Sequence, residues 1–106
     1  MTPRAGDIAW ANVSDTRGNT KLRPLVVINV DRQIDAVAIT TSPTDPSDAQ
    51  YVPLAHHPSG NVATRLKRAS WAACHWRLTI DVNDVVEIKG HVSAEVLLQI
   101  RAIATS

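Results

Sequence analysis

A chain of 106 residues, 44% hydrophobic and 20% charged, has the material for one domain with one modest core and is too apolar to be intrinsically disordered. Its formal net charge of +1 gives no global excess that would select an acidic partner. The single cysteine, Cys74, excludes an internal disulfide and a Cys-rich zinc module, and suits a reducing cytoplasm. No apolar run approaches the roughly 20 residues that cross a bilayer, and the start "MTPRAGDIAW" lacks the apolar stretch of a signal peptide, so no membrane association is expected.

The chain then reads mostly as strands. "DIAWANV" (7–13) alternates, with Ile8, Trp10 and Asn12 on one face. A polar segment, "SDTRGNTKL" (14–22), reads as a loop of about nine residues, longer than most hairpin connections. "RPLVVINV" (23–30) is a continuous Val/Ile-rich run, the pattern of a strand buried on both faces. A tight polar link leads to "DAVAITTS" (35–42), and "SPTDPSDA" is a Pro/Ser/Asp loop. "QYVPLA" is a short strand, and its Pro53 predicts an edge position. "ASWAACHWRLTI" (69–80) and "VVEIKGHV" (85–92) follow as strands, with Gly90 at a bend or bulge. Only the tail is helical: Ser93 is the N-cap, Glu95 sits in the first turn, and Val96, Leu97, Ile100 and Ile103 recur at helical spacing. Short strands closed by one terminal helix predict a mainly β fold, a small β-barrel.

Charge is distributed unevenly. Asp31, Asp35, Asp45 and Asp48 crowd one segment, whereas 49–80 contains no acidic residue and carries Arg65, Lys67, Arg68 and Arg77 with His56, His57 and His75. Such a block is either a solvated face or a local surface for phosphates or an acidic partner. The pair His56–His57 reads as a surface turn, and Cys74 as a buried inert thiol.

"GDIAWANVSDTRGNTKLRPLVVINV" resembles the opening of the MazF/PemK toxins. They share a Gly-Asp-Ile/Val start, a Trp, a flexible polar loop, then Arg-Pro and a valine-rich strand. The resemblance runs on through "AITTSP", "YVPLA", "SWAACHWRLTID" and "IKGHVSAEVLLQI", nearly the whole chain in order. It implies an SH3-like barrel with a C-terminal helix, assembled as a homodimer. It further implies an endoribonuclease that cuts single-stranded mRNA without a metal or other cofactor, and that is inhibited by a cognate antitoxin whose disordered tail occupies the RNA groove.

That chemistry uses the ribose 2′-OH as nucleophile and leaves a 2′,3′-cyclic phosphate and a 5′-OH. It needs a base, an acid and a cation on the phosphorane. Arg23 matches the family's Arg-Pro arginine, and a planar guanidinium suits the cationic role; the plain alternative is a surface arginine paired with Asp7 or Asp15. Thr41 matches the hydroxyl at the end of the third strand, although Thr40 and Ser42 offer adjacent hydroxyls. One family branch carries Arg-Cys-Asp-Gln where this chain has Ala73, Cys74, His75 and Trp76, so both catalytic side chains of that branch are absent. His75 takes the aspartate's place as the proton-transfer candidate, and Arg77, two residues on, is expected on the same face to hold phosphate. Trp76 is a candidate base-stacking platform or dimer contact. Arg17 and Lys21 make the first loop basic, and the family's loop flanks the RNA groove. The competing reading is a barrel that binds RNA, antitoxin or another protein without cutting RNA, as a degenerate or CcdB-like relative would. A peptide-binding SH3 adaptor would need more aromatics than the four present here.

Overall fold

The computed structural model describes residues 2–14 and 17–105. Six strands precede one helix: β1 (Asp7–Ser14), β2 (Thr20–Val30), β3 (Ile34–Thr40), β4 (Tyr51–Leu54), β5 (Ser70–Ile80), β6 (Val85–His91) and α1 (Ala94–Ala104), with a 3₁₀ turn at Val82–Asp84. All pairings are antiparallel, in the order β4-β5-β3-β2-β1-β6. The fold is thus the mainly β, helix-ended one expected, with a barrel-like sheet whose outer strands β4 and β6 do not pair. Pro53 lies on edge strand β4, where its missing N–H costs no ladder bond.

The central strands carry apolar residues on both faces, and two cores result. Ile8, Val26, Ile28, Val37, Ile39 and Cys74 face α1, which inserts the fully buried Ile100 among them. Ala9, Ala11, Leu25, Val27, Ala36 and Ala38 face the other side, covered by Leu78, Ile80 and Val85. The alanines permit that second layer to pack closely. At about 25 cal/mol per Å² of apolar surface, two filled faces explain why the unbroken Val/Ile run forms a strand without alternation.

Helix α1 begins where the cap predicts. The Ser93 hydroxyl accepts the Val96 N–H at 3.2 Å, and Glu95 lies in the first turn. Arg101 in the last turn donates its Nε–H to the Ile28 carbonyl at 2.9 Å, which ties the helix to β2.

Two departures from the sequence reading matter for the site. The segment 14–22 is not one long loop, because the β1–β2 ladder continues through Asn12↔Leu22, Val13↔Lys21 and Ser14↔Thr20. The connection shrinks to five residues, of which Asp15 and Thr16 lie outside the described residues. Cross-strand partners, invisible in a linear reading, keep Thr20 to Leu22 extended. The second departure is in β5. Val37 pairs with Arg77 and the adjacent Ala38 pairs with Ala73, so Cys74, His75 and Trp76 bulge out of the ladder. An odd number of extra residues inverts the side-chain alternation: Ala72 and Cys74 face the helix-side core, whereas Leu78 and Ile80 face the opposite one.

Candidate nucleic-acid interface

The β4–β5 connection builds one wall of the site. It leaves edge strand β4, crosses the gap in the sheet and lies on β6. His91 donates its N–H to the Ala63 carbonyl at 2.9 Å, and His57 donates to Leu66 at 3.0 Å. The buried Thr64 hydroxyl donates to the Ala55 carbonyl at 2.6 Å and accepts the Leu66 N–H at 3.3 Å. Gly90 makes the crossing possible, since any Cβ there would collide with the Thr64 carbonyl. Its φ of +88° also favours glycine. The connection thus occupies the space that strand pairing between β4 and β6 would fill in a closed barrel.

Between this crossing and the start of β2 lies an open groove of about 520 Å³. Trp10, Pro24, Ile39 and Leu66 supply its apolar lining, and Thr41 and Ser70 contribute hydroxyls. Six cations line it: Lys21 and Arg23 from β2, Arg65, Lys67 and Arg68 from the crossing connection, and Lys89 from β6. No carboxylate is among its described lining residues. A concave, one-signed surface of this kind focuses positive potential at the position of a bound anion.

Arg23 sits half-buried at the junction of this groove with a smaller one that Trp76 and Thr20 also line. Its guanidinium carbon lies 5.1 Å from the centroid of the Trp76 ring. That cation–π contact holds the side chain from one flank without consuming its five N–H donors. Asp7, the alternative partner, instead accepts the Arg4 backbone N–H at 2.9 Å, and Asp15 lies outside the described residues. Of the three adjacent hydroxyls, Thr41 lines the groove. Thr40 is engaged in a local turn, where its hydroxyl accepts the Ser42 N–H at 3.1 Å, and Ser42 is exposed beyond it.

The remaining candidates are dispersed. His75 is exposed on the β5 bulge, its ring edge-on to Tyr51 at 5.2 Å, and is not among the groove-lining residues. Arg77 does not share a face with His75 as simple alternation predicts. It points toward the helix-side layer and donates to the Ala104 carbonyl at 3.4 Å. The bulge accounts for that separation. Arg17 is exposed in the first connection and outside the groove lining. His57 closes a surface turn through Ser59, 2.7 Å from its Nδ1. Cys74 is buried in the helix-side core, and burial pushes its thiol up to about 11. Among the described residues no three His, Cys, Asp or Glu side chains converge, and no helix is long and apolar enough to cross a membrane.

Sequence reasoning did not assign Arg65, Lys67, Arg68 or Lys89 to the site. The acid-free segment 49–80 was the usable signal for the first three. Nothing in the sequence links Lys89 to them, because that link is the crossing over Gly90.

A sequence profile described as PemK-like, MazF-like toxin of type II toxin–antitoxin system matches residues 4–105. The chain belongs to this toxin family. Solved MazF structures share its fold. MazF from Deinococcus radiodurans superposes with a TM-score of 0.74 at 18% identity, covering 98% of this chain and 94% of that one. Mycobacterium tuberculosis toxin MazF-mt6 gives 0.67 at 21% identity, covering 92% and 91%. A mycobacterial endoribonuclease in complex with its cognate antitoxin gives 0.67 at 14% identity, covering 98% and 92%. No curated protein matches the chain in sequence. In this PemK/MazF-family toxin, Arg23 of β2 opens directly onto the cationic groove.

Proposed function

We propose that this toxin is a metal-independent, sequence-selective endoribonuclease that cuts single-stranded mRNA. The observation that carries the reading is the sharing of one groove by Arg23 and Thr41, among six cations and no described carboxylate. RNA is the required substrate because DNA lacks the attacking 2′-OH. In this mechanism a base takes the 2′-OH proton and the 2′-oxygen attacks the adjacent phosphorus. Arg23 stabilises the charge of the phosphorane with paired N–H donors, and Thr41 donates a hydrogen bond that positions phosphate or ribose. The P–O5′ bond then breaks, and the departing oxygen accepts a proton. His75, next in the chain to the tryptophan that flanks Arg23, is the proton-transfer group of this scheme. The homodimer, the cytoplasmic setting and a cognate antitoxin that competes for the groove complete the reading. The antitoxin is supported by the toxin–antitoxin complexes among the fold relatives.

The test is incubation of the protein with a long RNA in the presence of EDTA, followed by mapping of the cut ends. Discrete cuts with cyclic-phosphate ends that disappear in Arg23→Ala are expected. RNA left intact at high protein concentration would overturn the enzyme. A second reading, a toxin that binds RNA or a partner without cutting, is favoured by the buried Ala73 in the arginine position and by the place of His75 outside the groove lining. Full activity in His75→Ala would remove that residue from the mechanism while leaving the enzyme standing.

A further inference from the structure

The six groove cations fall into two structurally separate groups. Lys21 and Arg23 belong to β2, whereas Arg65, Lys67 and Arg68 ride on the crossing connection and Lys89 on the strand it crosses. The second group has features that a merely solvated face would not need. Arg65 adopts a left-handed backbone at φ +60°, a conformation that costs a non-glycine residue roughly 1 kcal/mol or more. Its N–H is fixed by the Val62 carbonyl at 3.0 Å, and it is flanked by the buried Thr64 and Leu66. A glycine would satisfy that backbone with less strain, yet the chain spends an arginine there and aims it into the groove. Lys89 reaches the same groove only because Gly90 lets the connection lie flat on β6.

We infer that Arg65, Lys67 and Lys89 form a second anion subsite, which holds a non-scissile phosphate of the same RNA strand whose scissile phosphate lies at Arg23. The inference rests on the RNA-cutting reading for the identity of the strand, and its own content is a separate clamp on the backbone away from the reacting bond. A subsite of this kind sets where the strand lies and how tightly it binds, and contributes nothing to proton transfer. Its strength is electrostatic and independent of base sequence, because phosphates carry the contact.

The experiment separates the two claims. A single-stranded DNA oligonucleotide cannot be cut through a 2′-OH, so its binding, followed by fluorescence anisotropy over a range of salt, reports phosphate contacts without cleavage. The triple variant R65A/K67A/K89A should bind it several-fold more weakly, and the log Kd against log salt slope should fall by about 0.7 for each lost phosphate contact. With RNA, the same variant should lose on KM, whereas Arg23→Ala should lose on kcat. Arg65→Gly is the decisive single change: it relieves the left-handed backbone, so thermal stability should hold or rise while affinity falls.

Unchanged affinity and salt slope in the triple variant would overturn the subsite, even if RNA is still cut with Arg23 dependence. Salt-sensitive DNA binding that depends on these residues, with RNA left intact, would keep the clamp and overturn the cutting. If neither probe binds nor is cut, both claims fail.

Discussion

Arg23 draws its position from a neighbour that sequence alternation does not supply. Trp76 reaches it because the bulge in β5 lifts that ring out of the regular ladder, to 5.1 Å from the guanidinium carbon. If the contact preorganises the guanidinium, Trp76→Ala should reduce RNA turnover by about tenfold, in line with the 0.5–2 kcal/mol of a cation–π contact, and Trp76→Phe should restore most of it. Single-turnover cleavage kinetics would show both, and a ring that only stacked bases would change KM instead. At the buried Cys74, burial raises the thiol from 9.0 to about 11. The folded state therefore keeps a proton that the unfolded chain releases, so this contribution to stability is complete below pH 9 and is lost as pH climbs toward 11. Urea midpoints measured across that interval should fall faster for the native chain than for Cys74→Ala.

At the scale of elements, the crossing of the β4–β5 connection over β6 is the feature on which the groove depends. Gly90 and Gly18 both have positive φ, +88° and +83°, but only Gly90 has backbone within reach of a Cβ. Gly18→Ala should therefore cost only the left-handed backbone penalty, about 1–2 kcal/mol. Gly90→Ala adds a collision with the Thr64 carbonyl and should be the more damaging change in thermal unfolding. Equal losses would show that the crossing is not tightly packed. The β1–β2 hairpin is the counterpart on the other side of Arg23. Its ladder up to Ser14↔Thr20, with the two hydroxyls 3.1 Å apart, holds Lys21 on a strand rather than on a loose loop.

For the whole molecule, the two-faced sheet makes the helix a structural lid on one core and leaves the groove to the strands and the crossing. Ile100 is fully buried in that lid, whereas Leu98, on the opposite side of the helix, is 65% exposed. Ile100→Ala should cost about 2–5 kcal/mol of unfolding free energy, and Leu98→Ala less than about 0.5 kcal/mol, as read from denaturant titration. A loss at Leu98 that depends on protein concentration would instead mark that helix face as the contact between two copies. Nearly neutral overall charge coexists with a concentrated cationic groove because no acidic side chain is among its described lining residues.

The sequence by itself determined the local features of this protein. The apolar runs set the strands, Pro53 marked the edge, and Ser93 with Glu95 started the helix, because each of these preferences acts within a few residues of chain. Arg23 and Thr41 could also be named as candidates, through their place in a family pattern, and both line the groove. Tertiary structure alone decided the rest. It brought Lys89 to the groove that Arg65 lines by laying one connection across a glycine, and it separated His75 from Arg77 by a bulge that inverts the alternation of β5. Both outcomes depend on which backbone segments meet across the sheet, and side-chain periodicity along a single strand carries no record of its partner's register.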